Sequence, residues 1–227
     1  YKRQKWWSAI GINFYVNILI ILYDELVFNQ FFYYLFIFYV LCKITFEQRH
    51  ILVYNAKENC YHGTGKGVLI MKKYNVGIIG ATGMVGQRFS LLLDKHPWFN
   101  VVCVAASPRS AGKKLKDAVA GKWKLSEPLP EAIGELTVLN AEEDVEKIAS
   151  MVDFVFCAVD MKKDEIRALE EKYAKAECPV VSNNSAHRHT PDVPMVIPEV
   201  NPEHIEIIAS QRKRLGTKRG FIAVKSN

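Results

Sequence analysis

The sequence predicts an α/β domain over residues 71–227, a mostly parallel sheet doubly wound by helices on both faces. Three observations predict it. Its strand-like runs are continuously apolar, as in "VDFVFCAV", where a half-solvated strand would alternate. Segments with apolar residues at helical spacing separate those runs. The composition from Met71 onward is ordinary for a folded domain, while that of the residues before it is not.

The elements follow in order. "YNVGIIG" is a short β-branched strand, and "GMVGQRFSLLLDKHP" carries a helical apolar spacing. "NVVCVAAS" is a second buried strand and "ELTVLN" a shorter one. "AEEDVEKIAS" predicts a helix with acids in its first turn, where they suit the helix dipole. "VDFVFCAV" is a strand, and "MKKDEIRALEEKYAKA" the strongest helix, an outer-face one with Glu171 and Lys175 as an i,i+4 pair. "PVVSNN", "PMVIPEV" and "GFIAV" complete the series. "QRKRLGTKRG" reads as a solvated or ligand-adjacent loop before the last strand, not as a nucleic-acid patch.

Residues 1–70 stand apart. They hold 17 of the 26 aromatic residues and none of the nine prolines. The longest apolar run there, Phe31 to Cys42, is 12 residues, short of the roughly 20 that a spanning helix needs. Asp24 and Glu25 interrupt the rest. No small-residue cleavage site of a signal peptide follows. The residue types are those of A/T-rich codons, and Gly65-Lys66-Gly67 implies a purine-rich codon run just upstream of Met71. The expectation is a non-native upstream extension over 1–70, with a membrane segment or a soluble extension as competing readings, and a domain that starts at Met71.

The net charge of +6 is small and spread out, which gives no argument for nucleic acid or anionic membrane as a partner. Five cysteines without a CxxC pair suit a reducing compartment, hence a cytoplasmic expectation. Cys103, Cys157 and Cys178 lie in or beside apolar runs and read as core. His187, His189 and His204 lack metal-ligand spacing, and no metal site is expected.

The first strand runs into Gly80-Ala81-Thr82-Gly83-Met84-Val85-Gly86, a G-x-x-G-x-x-G turn of Rossmann type. Such a turn lets backbone approach a pyrophosphate, and the helix behind it offers free N–H groups. An NAD-preferring domain places an acid about 20 residues further on. Here, 21 residues after Gly86 (107 − 86), stands Ser107-Pro108-Arg109-Ser110. A guanidinium and two hydroxyls suit a 2′-phosphate, so NADP is the expected cofactor. A short-chain dehydrogenase would need Tyr-x-x-x-Lys, but Tyr173 is followed four residues later by Glu177.

Together with "GATGMVG" and "SPRSAGK", the stretches "VVSNNSAHRHTPDVPMVIPEVNPEH" and "GFIAVKSN" resemble aspartate-semialdehyde dehydrogenase in its archaeal and fungal-like branch. The resemblance runs from about Lys72 to Asn227. It implies an NADP-dependent enzyme that converts L-4-aspartyl phosphate to L-aspartate 4-semialdehyde, towards lysine, methionine and threonine. A cysteine nucleophile would follow directly after Asn227, so no catalytic residue is expected within the chain, and the second domain, for substrate and dimerisation, would be missing from it.

Carried over by matching motif, Gly80, Thr82, Gly83, Met84, Val85 and Gly86 would hold the pyrophosphate. Ser107, Arg109 and Ser110 would hold the 2′-phosphate, and Ser185 would line the cofactor side. Arg188, Asn201 and Asn227 would face the substrate, aspartyl phosphate. The family implies a homodimer or homotetramer for the full-length enzyme. The alternatives are a malonyl-CoA reductase-like or N-acetylglutamyl-phosphate reductase-like paralogue, or a non-catalytic NADP-binding module.

Overall fold

The computed structural model describes residues 73–197 and 200–226. The expectations for residues 1–70 and for Asn227 therefore lie outside the described residues. Among the latter, seven strands form one sheet: β1 (Tyr74–Ile79), β2 (Phe99–Ala106), β3 (Val138–Asn140), β4 (Phe154–Cys157), β5 (Val180–Ser182), β6 (Met195–Val196) and β7 (Ile222–Lys225). Their order is β3-β2-β1-β4-β5-β7-β6, and every neighbouring pair is parallel.

The helices are α1 (Met84–Leu93), α2 (Leu115–Ala118), α3 (Glu131–Gly134), α4 (Val145–Met151), α5 (Lys163–Lys175) and α6 (Ile208–Leu215), with a 3-10 turn at Pro202–Ile207 before α6. Strand β4 shows why both faces need covering. Phe154 and Phe156 point one way and join Phe99 and, from α1, Phe89 in a cluster of tilted and edge-on rings. Val155 and Cys157 point the other way, into a core with Val145 and Ile148 of α4, Leu169 and Tyr173 of α5 and Leu215 of α6. Each fully buried Val, Ile or Phe there contributes about 1.5–3 kcal/mol. Tyr173 reconciles its hydroxyl with burial by donating to the Ala141 carbonyl, 2.9 Å away.

Two sequence expectations need correction. The helix predicted over "AEEDVEKIAS" begins only at Val145, with Asp144 as its N-cap residue. Asn140 Oδ1 accepts from the N–H groups of Glu142 and Glu143, and Asp144 Oδ2 accepts from the N–H of Asn140. These local bonds hold the acids in a turn. The stretch "QRKRLGTKRG" is not all loop, since Gln211–Leu215 is the second half of α6 and Gly216, at φ 72°, ends it. Gln211 explains the helix. It is fully buried, donates to the Asp192 and Ile222 carbonyls and accepts from the Ile222 N–H. Arg214 turns outward onto Asp192 and Glu171.

Candidate functional site

Because all the strands run in parallel, the segments that follow β1, β2, β5 and β7 emerge at one edge of the sheet. The chain moves outward from β1 to β2 and β3, then returns to β4 on the other side of β1. The crevice beyond the ends of β1 and β4 is thus the topological switch point, where open α/β sheets take their ligands.

The glycine turn stands at that crevice, and its three glycines answer three different demands. Gly80 has φ 89°, and a Cβ there would lie 2.3 Å from the Ala158 carbonyl oxygen at the end of β4. At Gly86 a Cβ would lie 2.1 Å from the Gly80 oxygen, so α1 packs on the turn only without a side chain. Gly83 is different. Its φ of −76° and ψ of 166° suit any residue, and a Cβ would meet nothing closer than 3.4 Å. The protein's own packing does not require a glycine there.

Helix α1 starts at this point with no side-chain cap. Its first intrahelical bond runs from Gln87 N to Gly83 O at 2.9 Å. The preceding N–H groups, those of Met84, Val85 and Gly86, lack intrahelical acceptors and carry the positive end of the helix dipole. Met84 and Val85 are exposed around them, while Thr82 is half-buried. The residues present fit a dinucleotide pyrophosphate.

Strand β2 brings the second sequence-predicted group alongside. The Ala105 carbonyl accepts from both Gly80 and Ala81, at 2.8 and 3.1 Å. Ser107 therefore leaves the sheet next to the glycine turn. Ser107–Ser110 closes a tight turn through Ser110 N to Ser107 O, 2.9 Å. Arg109 at its tip is exposed, and among the described residues nothing pairs with its guanidinium.

The segment after β5 holds Ser185 and Arg188. Ser185 is exposed and Arg188 half-buried. Arg188 Nε donates to the Lys225 carbonyl at 3.2 Å, which places the guanidinium at the end of β7. Asn201 follows β6. It accepts from Ile197 N at 2.7 Å and donates to Met195 O at 2.9 Å, so it braces that strand end and keeps one amide N–H.

Beneath the segment after β5 lies a buried polar cluster. Glu170 of α5 is fully buried. Its Oε1 accepts from Ser182 Oγ at 2.6 Å and from Asn184 Nδ2 at 2.9 Å. His187, also buried, places Nδ1 3.0 Å from Thr190 Oγ1. Burial pushes the Glu170 carboxyl above the usual carboxylate range, against the hydrogen bonds from Ser182, Asn184 and Cys157. Burial likewise pushes the His187 imidazole below its ordinary value. The thiols are buried too. Burial raises Cys103 and Cys178 to about 12 and Cys157 well above its ordinary value, which leaves none of them a thiolate nucleophile at neutral pH. His204 Nδ1 lies 3.1 Å from the Met195 carbonyl.

Sequence reasoning missed Gln87 and Glu170. Gln87 is buried, and it donates to the Thr82 and Lys122 carbonyls and accepts from Lys124 N, tying a distant loop to the glycine turn. The signal for both is a polar residue at an inward helical position. The buried residues of α5 are Ile166, Leu169, Glu170, Tyr173 and Ala174, so Glu170 occupies the apolar stripe itself.

With this geometry in place, the chain compares closely with known proteins. Residues 75–208 match the family model for the semialdehyde dehydrogenase NAD binding domain. The aspartate-semialdehyde dehydrogenase of Aspergillus fumigatus is 43% identical over 155 residues, 68% of this chain and 41% of the relative. That of Methanothermobacter thermautotrophicus is 45% identical over 153 residues, 67% of this chain and 42% of the relative. The crystal structure of aspartate semialdehyde dehydrogenase with NADP from Candida albicans superposes with a TM-score of 0.60 at 41% identity, covering 69% of this chain and 43% of that one. The chain thus spans about two fifths of the length of these relatives. By a match that takes in more than half of its residues, the chain belongs to the semialdehyde dehydrogenase family, through that family's NAD-binding domain.

Proposed function

We propose that this chain forms the NADP-binding part of an aspartate-semialdehyde dehydrogenase, which reduces L-4-aspartyl phosphate to L-aspartate 4-semialdehyde with release of phosphate. The observation that carries the reading is Gly83 at the uncapped start of α1, a glycine that the protein's own packing does not require and that leaves the backbone open to a close ligand. NADPH supplies the hydride when bound. The residues of the chain bind and orient it. The N–H groups at the head of α1 take the pyrophosphate, and Gly80 and Gly86 let helix and turn close upon it. Arg109, with Ser107 and Ser110, takes the 2′-phosphate, as its guanidinium, unengaged among the described residues and beside the glycine turn, supports.

Ser185 lines the cofactor side. Arg188 holds the substrate's phosphate, a role supported by its tether to Lys225 O, which aims a planar fork at the end of β7. Asn201 braces β6 and turns its remaining amide N–H to the substrate.

Titration of the chain with NADP and NAD tests the reading. NADP binds more tightly, and Arg109→Ala weakens NADP by about tenfold or more while leaving NAD unchanged, the loss expected for a charge-assisted hydrogen bond. Preference for NAD in the unaltered chain would refute the assignment of the 2′-phosphate to Arg109.

A further inference from the structure

The buried cluster under the segment after β5 holds two polar atoms without hydrogen-bond partners among the described residues, Glu170 Oε2 and His187 Nε2. They face each other at 3.9 Å, and both side chains are almost wholly buried. Unsatisfied polar atoms at such depth are rare, and two of them opposite each other call for one explanation.

We propose that Glu170 is the positioning residue of the Ser182–Thr190 segment, holding it from beneath through a carboxyl proton shared between its Oε2 and Nε2 of His187. A single proton satisfies both atoms. Glu170 Oε1 already accepts from Ser182 and Asn184, so the carboxyl's hydrogen belongs on Oε2. His187 Nδ1 then carries its own hydrogen towards Thr190 Oγ1, which leaves Nε2 as the acceptor. Closing the gap by about 1 Å brings the pair to hydrogen-bond length.

The surrounding charges favour the neutral pair. Burial disfavours an imidazolium at His187 most; a hydrogen bond to the Arg167 backbone and the charge of Glu171 favour one, and the charges of Arg167 of α5 and Arg214 of α6 oppose it. On the side of Glu170 stand Cys157 of β4 and the hydrogen-bond donors Ser182 and Asn184. Burial of a carboxylate and an imidazolium together would desolvate two charges where one shared proton desolvates none.

The functional weight lies in what the segment carries. Between Ser182 and Thr190 stand Ser185 and Arg188. Helix α5 grips this stretch through Glu170 at Ser182, Asn184 and His187, and through Arg167 Nε on the Ala186 carbonyl at 2.8 Å. This role rests on the NADP reading proposed above. Glu170 touches neither cofactor nor substrate; it acts through the backbone that bears Ser185 and Arg188.

The test compares the 227-residue chain with Glu170→Gln and Glu170→Leu. Gln keeps an acceptor for Ser182 and Asn184 and supplies a neutral donor for His187; Leu supplies neither. Imidazole nitrogen NMR at pH 7 reports the His187 proton, and NADPH titration reports the segment. The expected spectrum shows Nδ1 protonated and Nε2 bare, unchanged in Glu170→Gln, which binds NADPH within about twofold of the unaltered chain. Glu170→Leu binds about tenfold more weakly.

An imidazolium with both nitrogens protonated overturns the proposal. So does a Glu170→Gln form as weak as Glu170→Leu, or a Glu170→Leu form that binds as well as the unaltered chain. Should Glu170→Leu not fold, the spectrum and Glu170→Gln decide. Should the unaltered chain not bind NADPH, the cofactor reading falls, and the imidazole spectrum alone still decides where the proton is.

Discussion

The turn after β1 and the segment after β5 share one edge of the sheet but are built in opposite ways. The turn works by lacking side chains: Gly80 clears space for a carbonyl and Gly86 for a helix, while Gly83 between them leaves its backbone uncovered. The segment works by side chains reaching in from α5, a partner 12 to 17 residues earlier in sequence (182 − 170 and 187 − 170). A glycine turn is local, so its logic survives in seven consecutive letters. A buried polar hub is non-local, and its logic appears only once the helix is laid against the sheet.

The largest break of the first region is expected at Gly86. A valine there puts Cβ within 2.1 Å of the Gly80 oxygen and 2.6 Å of Ala81 Cα, both backbone atoms. Helix α1 would have to leave the sheet, at a cost of about 4 kcal/mol or more, typical of severe overpacking. Urea unfolding should show a large loss of midpoint, or no folded protein at all. Gly83→Ala sharpens the same point from the opposite side. Its Cβ meets only ordinary contacts, so stability should change by less than about 1 kcal/mol, while NADP binding falls. Equal losses of stability at both positions would mean that Gly83 is structural after all.

A smaller loss is expected at Gln87, where the turn itself depends on a non-local residue. Gln87→Ala leaves the Thr82 and Lys122 carbonyls and the Lys124 N–H without that partner. Buried groups stripped of partners cost about 1–3 kcal/mol. A thermal shift paired with weaker NADP binding is the expected outcome. A shift without any change in binding would confine Gln87 to the fold.

How much was legible follows the same divide. The parallel sheet was, because runs such as Phe154–Cys157 are apolar at every position and have to be covered on both faces. The glycine turn between β1 and α1 was too, since its shape rests on local sequence. Helix α6 was not: in "QRKRLGTKRG" four of the five residues from Gln211 to Leu215 are polar or charged, and only the burial of Gln211 against the β7 backbone makes the helix. Strand β6 was expected over "PMVIPEV", but its limit to Met195–Val196, like the late start of α4, goes with hydrogen bonds that no periodicity shows, those of Asn201 and of Asn140 with Asp144. Glu170 was hidden inside a run of charges, where it reads as one more solvated carboxylate although its spacing from Ile166 and Tyr173 is that of the core.

The smallest expected effect separates the two regions by pH. The glycine turn holds no titratable side chain from Gly80 to Gly86, so its share of stability should not move with pH. The β5 segment holds two titratable groups with opposite signs. Burial raises the Glu170 carboxyl from its ordinary 4.5. Its contribution is therefore whole below 4.5 and lost as pH rises through the raised folded value. Burial lowers His187 from its ordinary 6.5, so its contribution is whole above 6.5 and lost as pH falls through the lowered folded value. Just above 4.5 and just below 6.5 the two slopes oppose each other. Glu170→Gln has no proton to lose there. Relative to the unaltered chain, it should gain stability as pH rises from 4.5 through the raised folded value of Glu170. Urea midpoints of the two forms across that range measure the gain. A constant difference would mean that Glu170 is ionised throughout, and the β5 segment would then be held by charge instead of by a shared proton.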